Sequence, residues 1–229
     1  MLPTFNEAES IKTLIPAIQR VLGDFDVEIV VVDDASWDGT SEIAKEFGAI
    51  VVQRGSKSGL GSAVREGVRV ALEYGGDIIV QMDADWQHDP WDIPRVLEPI
   101  LNGKCSFALG SRNLSMKLGM NETDPFRSLV SNIACFLANF LLGLRSADPT
   151  SGFRSFDKFG AKAILNTQED GYAFQVEALH KARKMNLSVA EIPIRFGDRF
   201  HGKSKLDLSE AFQYLIMLFK CLLDQYKKH

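Results

Sequence analysis

Cysteine is scarce in this chain: three residues, at 105, 135 and 221, with no CxxC pair. So odd and dispersed a set excludes a disulfide framework and a cysteine zinc site, and fits reduced thiols in a cytosolic protein. An excess of charge of one sign is also lacking. Lys and Arg number 26 against 30 Asp and Glu, for a net charge of −4. That argues against a general nucleic-acid binder, while leaving room for a local basic site for phosphates. Repeats and low-complexity linkers are absent, and 229 residues suit one large α/β domain or a domain with an appended segment. Residues 1–10 carry neither a basic stretch nor an apolar core, so no secretory signal is expected. Long apolar runs are almost missing. One uncharged stretch, SLVSNIACFLANFLLGL at 128–144, has 17 residues, is bracketed by Arg127 and Arg145, and is interrupted by Asn132 and Asn139. It stands at the lower limit for a spanning helix and reads as a buried or interfacial one.

What the chain does have is alternation. Short β-rich runs at 28–34, 49–54, 77–85, 105–111 and 187–196 alternate with helical stretches near 7–22, 40–47, 60–74, 91–102, 125–143, 157–165, 173–185 and 208–226. The first three β runs are near-continuous Val/Ile, as expected for strands buried on both faces. Gly48 and the Gly75–Gly76 pair stop helices ahead of strands. The pattern predicts a doubly wound, mostly parallel sheet with helices on both faces, a helical C-terminal region, and a site at the carboxyl ends of the strands. Residues 1–206 read as the main domain and 207–229 as an amphipathic helix suited to a membrane surface.

Three polar clusters fall at those strand ends. MDADWQ places Asp83, Asp85 and Gln87 at alternating positions, three hard oxygen donors that suit Mg2+ or Mn2+. A solvated acidic turn is the plainer explanation of a bare DxD, and the strong strand before it favours the metal. His88 reads as a structural neighbour, because hard cations seldom choose imidazole. VVVDDASWDGT places Asp34 where a carboxylate holds a nucleotide hydroxyl, with Asp33 and Asp38 as turn and helix caps. LGSR places Arg112 at a third strand end. Gly59-Leu60-Gly61 lacks the third glycine of a dinucleotide fingerprint, which disfavours a NAD enzyme. Beyond the last β run, RFGDRFHGKSK gathers Arg195, Arg199, His201, Lys203 and Lys205 around Gly202, a basic loop able to fold over an anion or simply a solvated charge run. In the last helix Phe212, Leu215, Ile216, Phe219, Leu222 and Leu223 form an apolar stripe, open to two readings: core, or a membrane-surface patch shared with the 125–143 helix.

In order, LPTFNE, VVVDDASWDGT, MDADWQHDP, LGSR, SGFR (151–154) and RFHGKSK resemble the family 2 inverting glycosyltransferases of GT-A fold, most of all the polyprenyl-phosphate sugar transferases. The likeness runs through nearly the whole chain. It implies transfer of a hexose, mannose from GDP-mannose first and glucose from a UDP donor second, to dolichyl or polyprenyl phosphate. It further implies that Pro3, Phe5, Glu7, Val32 and Asp34 line the nucleotide pocket, and that Asp83, Ala84, Asp85 and Gln87 hold a metal and the donor diphosphate. Arg112 would face donor sugar and acceptor phosphate, helped by Arg127 and Ser131, with Arg199 and Lys205 closing on the diphosphate. The resemblance places the protein at the cytosolic face of a membrane, held there by its own helices or by a membrane partner protein. Against the family pattern, the strand ahead of LPTFNE is expected to be missing, with only Met1 and Leu2 left of it. That absence motivates a rival reading, an inactive nucleotide-sugar-binding subunit.

Overall fold

The structure is a computed structural model that describes residues 1–117, 125–197 and 208–226. The Val/Ile runs form the strands. β1 (Leu2–Thr4) pairs in parallel with β2 (Val30–Asp33), Leu2 beside Val31. β2 in turn pairs in parallel with β3 (Ile50–Gln53), Val31 beside Val51. A second sheet runs in the order β4 (Ile78–Gln81), β6 (Arg154–Asp157), β5 (Phe107–Ser111), β7 (Val189–Pro193). β6 is antiparallel to both neighbours, and β7 is parallel to β5. Two backbone bonds join the sheets: the Met82 N–H donates to the Met1 carbonyl (3.2 Å), and the Met1 amine donates to the Val80 carbonyl (2.8 Å).

Helices cover both faces. α1 (Ala8–Val21), α2 (Thr40–Glu46) and α4 (Ile93–Leu101) enclose a core that includes Ile11, Leu14, Ile15, Val31, Ala44 and Val96. Opposite, α3 (Leu60–Glu73), α7 (Lys158–Leu165) and α8 (Phe174–Lys184) pack Val64, Val68, Phe107, Phe156, Ile164 and Leu179. Gly61 opens α3 against the backbone of residue 169; a Cβ there would sit 2.1 Å from the Glu169 carbonyl, so this glycine serves close packing. Between β5 and β6 lie α5 (Arg112–Lys117) and α6 (Pro125–Leu142), and α9 (Leu208–Tyr226) packs beside α6. The Tyr214 hydroxyl donates to the Ala134 carbonyl (2.7 Å), and Gln225 Nε2 to that of Leu142 (3.0 Å).

At three points the structure goes beyond the sequence reading. Leu2–Thr4, inside LPTFNE itself, forms a three-residue strand of the parallel sheet. SGFR leads into an antiparallel strand at a place where no β run was expected; RSFD is short, carries no Val or Ile, and is held by two neighbours rather than by its own propensity. The α9 stripe faces outward: Phe212, Leu215, Ile216, Phe219 and Leu223 are exposed, while Met217, Leu218 and Cys221 enter the core. On α6, Ile133, Phe136 and Phe140 are exposed as well. Among the described residues no helix is long and apolar enough to cross a membrane.

The Met1 amine is enclosed, and burial pushes its pKa down to about 5. Next to it, residues of 27–30 and 78–80 line a cavity of about 460 Å³. An apolar extension of about four residues fused ahead of Met1 can enter this space as a strand and replace the amine with an amide. The expected outcome is a raised Tm in calorimetry; no rise counts against the fit.

Where α8 meets α9, the enclosed His180 lies 3.8 Å (Nε2) from Asp224 Oδ2, and Lys181 and Lys184 pair with the same carboxylate. Burial, then Lys181, lowers the His180 pKa. The folded state therefore binds this proton less readily than the unfolded chain, whose histidine titrates near 6.5. Stability from this residue is intact above that pH and is lost as pH falls below it. In urea titrations the stability gap between wild type and His180→Gln should narrow from pH 7.5 to 5.5; a constant gap would refute it.

Candidate functional site

The first polar cluster grows from the ends of β1 and β2. Asp33 is fully buried and caps the turn, accepting from Ser41 Oγ (2.6 Å), Thr4 Oγ1 (3.3 Å) and Ser36 Oγ. Asp38 Oδ2 accepts the Ala8 N–H at the head of α1 (3.1 Å). Asp34 is nearly enclosed and accepts from Arg54 Nη1 (3.0 Å), Ser58 N–H (2.9 Å) and Gly59 N–H (3.1 Å). Its carboxylate therefore fastens the loop between β3 and α3 to the end of β2. Pro3 and Phe5 are half-buried at this rim, with Lys57 Nζ 3.8 Å from the centre of the Phe5 ring. Glu7 precedes α1, and its Oε2 accepts from Ser10 Oγ (2.8 Å). Val32 lies in β2 with its side chain fully buried against α3.

The second cluster follows β4. That strand stops at Gln81, and Trp86 takes a positive φ of 64°, so Asp83, Asp85 and Gln87 lie on a turn and not on one face of an extended segment. Asp83 keeps 39% of its side chain exposed, whereas Ala84, Asp85 and Gln87 are buried. Asp85 Oδ1 accepts the Gln87 N–H (3.1 Å). Among the described residues no three His, Cys, Asp or Glu side chains converge as a metal cage. Two carboxylates with an amide nearby instead fit a hard cation that completes its shell with phosphate and water oxygens. His88 is enclosed between Phe153 (5.2 Å) and Phe196 (5.4 Å), its Nδ1 accepts the Asp83 N–H (3.3 Å), and burial pushes its pKa down to about 4. It is a neutral wedge that shapes the turn.

The basic segment begins beside this turn: the Gly197 N–H donates to the Gln87 carbonyl (2.9 Å), and Gln87 Nε2 to that of Gly197 (3.3 Å). Arg195 is spent on Asp89 (3.1 Å). Arg199 and Lys205 lie outside the described residues.

The third cluster holds what sequence reasoning missed. Arg112 heads α5, and its Nε and Nη2 donate to the two oxygens of Asp148, each at 2.6 Å. Asp148 is fully buried, and although burial opposes it, Arg112 holds its carboxyl below the usual carboxylate range. Removing one partner of such a pair costs about 3–5 kcal/mol. The fully buried Arg154 moulds the segment that carries Asp148, donating to the carbonyls of Ser151 (2.8 Å), Pro149 (3.3 Å) and Gln175 (2.6 Å). Ser131 is on α6 in hydrogen-bonding reach of the Cys135 thiol, which burial and then Asp148 push up. Arg127 is on the same helix, upstream of the described side chains. The only sequence signal for Asp148 was a turn-like Asp-Pro-Thr-Ser-Gly run.

Residues 1–165 match the model of glycosyl transferase family 2. Dolichol-phosphate mannosyltransferase of Pyrococcus furiosus is 35% identical over 229 residues, covering 97% of this chain and 62% of that protein, so the chain spans less than two thirds of its length. Undecaprenyl-phosphate mannosyltransferase of Micrococcus luteus is 33% identical over 213 residues, covering 90% of this chain and 86% of that protein. Among solved structures, glucosyl-3-phosphoglycerate synthase from Mycobacterium tuberculosis, in complex with Mn2+, uridine diphosphate and glucosyl-3-phosphoglycerate, is similar with TM-score 0.72 at 23% identity, covering 96% of this chain and 78% of that one. The chain belongs to glycosyl transferase family 2.

Gly152 packs on the exposed carboxylate of the second cluster. A Cβ there would stand 2.9 and 3.0 Å from the Asp83 oxygens. Because that contact is the movable end of a side chain, Gly152→Ala should displace Asp83 while sparing the fold. We expect Mn2+ affinity in calorimetry to fall about tenfold, the loss of about 1.4 kcal/mol, with little change in Tm. Unchanged affinity would count against Asp83 as a metal ligand.

Proposed function

We propose that the chain transfers a hexose, first of all mannose from GDP-mannose, to the phosphate of dolichyl or another polyprenyl phosphate, with inversion at the anomeric carbon. The observation that carries this reading is the meeting of the Asp83–His88 turn and the Asp148-clamped Arg112 on the two sides of Phe196, whose ring centre lies 5.4 Å from that of His88 and 5.2 Å from the Arg112 guanidinium carbon, in a chain whose mannosyltransferase relatives act on lipid phosphates by name. Pro3, Phe5, Glu7 and Asp34 form the nucleotide end. Asp83 and Asp85, with Gln87, would hold Mg2+ or Mn2+, which supplies charge neutralisation for the diphosphate. The acceptor phosphate is already anionic, so it needs no general base. Its oxygen forms the new bond to the anomeric carbon as the bond to the diphosphate breaks, and the nucleoside diphosphate leaves with the electron pair. The difficulty is bringing one anion up to another, and Arg112, Arg127 and Ser131 meet it by position and charge. The exposed apolar side chains of α6 and α9 would rest on the cytosolic face of a membrane, alone or with an anchoring partner, and bring the site to its lipid.

Asp85→Asn tests this. An asparagine oxygen can still accept the Gln87 N–H, so the turn survives while the charge is lost. Transfer of radiolabelled mannose to polyprenyl phosphate should fall about 100-fold or more. Undiminished transfer would sink the metal assignment. In parallel, GDP-mannose and UDP-glucose are offered to the wild type with Mg2+ or Mn2+. Preference for UDP-glucose would replace the donor, as the named substrate of the structurally similar synthase suggests. Nucleotide-sugar binding without transfer to any lipid phosphate would favour a binding subunit.

A further inference from the structure

We propose that Asp148 is a positioning residue for transfer: it fixes the Arg112 guanidinium so that Nη1 alone is presented to the phosphate acceptor. The inference rests on the lipid-phosphate reading above. Arg112 stands at the junction of β5 and α5, where a long side chain has several ways to point. Asp148 removes that freedom at both ends of the residue. Its Oδ2 accepts the backbone N–H of Arg112 (3.0 Å) as well as Nε (2.6 Å), and its Oδ1 accepts Nη2 (2.6 Å). Thr150 Oγ1 completes the lock, accepting from Nη2 (2.7 Å) and donating to Asp148 Oδ1 (3.0 Å). The Phe196 ring lies 5.2 Å from the guanidinium carbon.

The consequence is an asymmetry. The Nε–Nη2 edge is consumed by a side-on carboxylate pair, and Nη1 makes no hydrogen bond among the described residues. Asp148 is fully enclosed while the Arg112 side chain stays 22% exposed, so water and ligands reach the arginine and not the aspartate. A guanidinium held in this way leaves only the two N–H bonds of Nη1 and a fixed charge for a ligand, and cannot swing to follow the anion. Asp148 touches neither substrate; it acts through Arg112.

The experiment combines kinetics with arginine side-chain NMR on the full chain. In Asp148→Asn, kcat/KM for polyprenyl phosphate should fall about 100-fold, the scale of a misplaced contact group, while GDP-mannose affinity in calorimetry stays within twofold. Arg112→Lys alone should cost as much, and the double variant no more than either single one, because both remove one device. In 15N spectra the Arg112 Nε–H, assigned by its loss in Arg112→Lys, should exchange slowly in wild type and rapidly in Asp148→Asn. If Asp148→Asn does not fold, Thr150→Val decides, with a smaller loss in the same parameter and faster Nε–H exchange. Additive losses, an unchanged kcat/KM, or an Nε–H that stays protected would overturn the proposal. Wild-type protein inactive on every lipid phosphate would refute the transfer reading instead, and the exchange measurement would still judge the clamp.

Discussion

Backbone hydrogen bonds from Met1 to Val80 and Met82 join a three-stranded parallel sheet to a four-stranded mixed one, and everything at the rim depends on that joint. β1 is only three residues long, yet it lies between β2 and β4. On its far side are the Asp34 cluster and the loop that carries Lys57. On its near side are the Asp83–Gln87 turn and, through β6 and β5, Arg112. A parallel strand in this position has to satisfy two neighbours at once, so a shift in it would move the Asp34 cluster relative to the Asp83 turn and Arg112.

The rim is assembled by buried charges, each matched by donors or acceptors. A carboxylate withdrawn from water without partners would be protonated or would destabilise the fold. Asp34 has Arg54 and two backbone N–H groups, Asp33 has three hydroxyls, and Asp148 has Arg112 on three nitrogens. Arg154 reverses the sign: an enclosed cation, pushed down to about 9 by burial, satisfied largely by carbonyls of the segment it shapes. These residues therefore act first as fasteners of loops. Asp83 and the Arg112 side chain keep more exposure than these fasteners, at 39% and 22%.

The apolar surface obeys a different logic. α9 contributes Met217, Leu218 and Cys221 to the core and leaves five large apolar side chains outside, beside three more from α6. Two helices that pack through one face and expose another are poorly matched to water. They suit the amphiphilic acceptor proposed above.

Much of this was readable from the residues. Buried parallel strands require Val/Ile runs, and helices between them require caps and stops, so β2 to β5 and all the longer helices were legible, as were the Asp83–Asp85 pair and Arg112 at strand ends. The sequence could not decide β6, because RSFD becomes a strand only through two neighbours distant in the chain. Nor could it decide that the Asp83 segment turns after Gln81, or that the α9 stripe points outward, since a period of 3.6 marks a face without saying what covers it. Asp148 was invisible for the same reason: 36 residues separate it from Arg112, and only the packing of α5 against the segment after α6 brings the pair together. Local chemistry is written in local order, while a partner chosen across the fold is decided by the backbone path that delivers it.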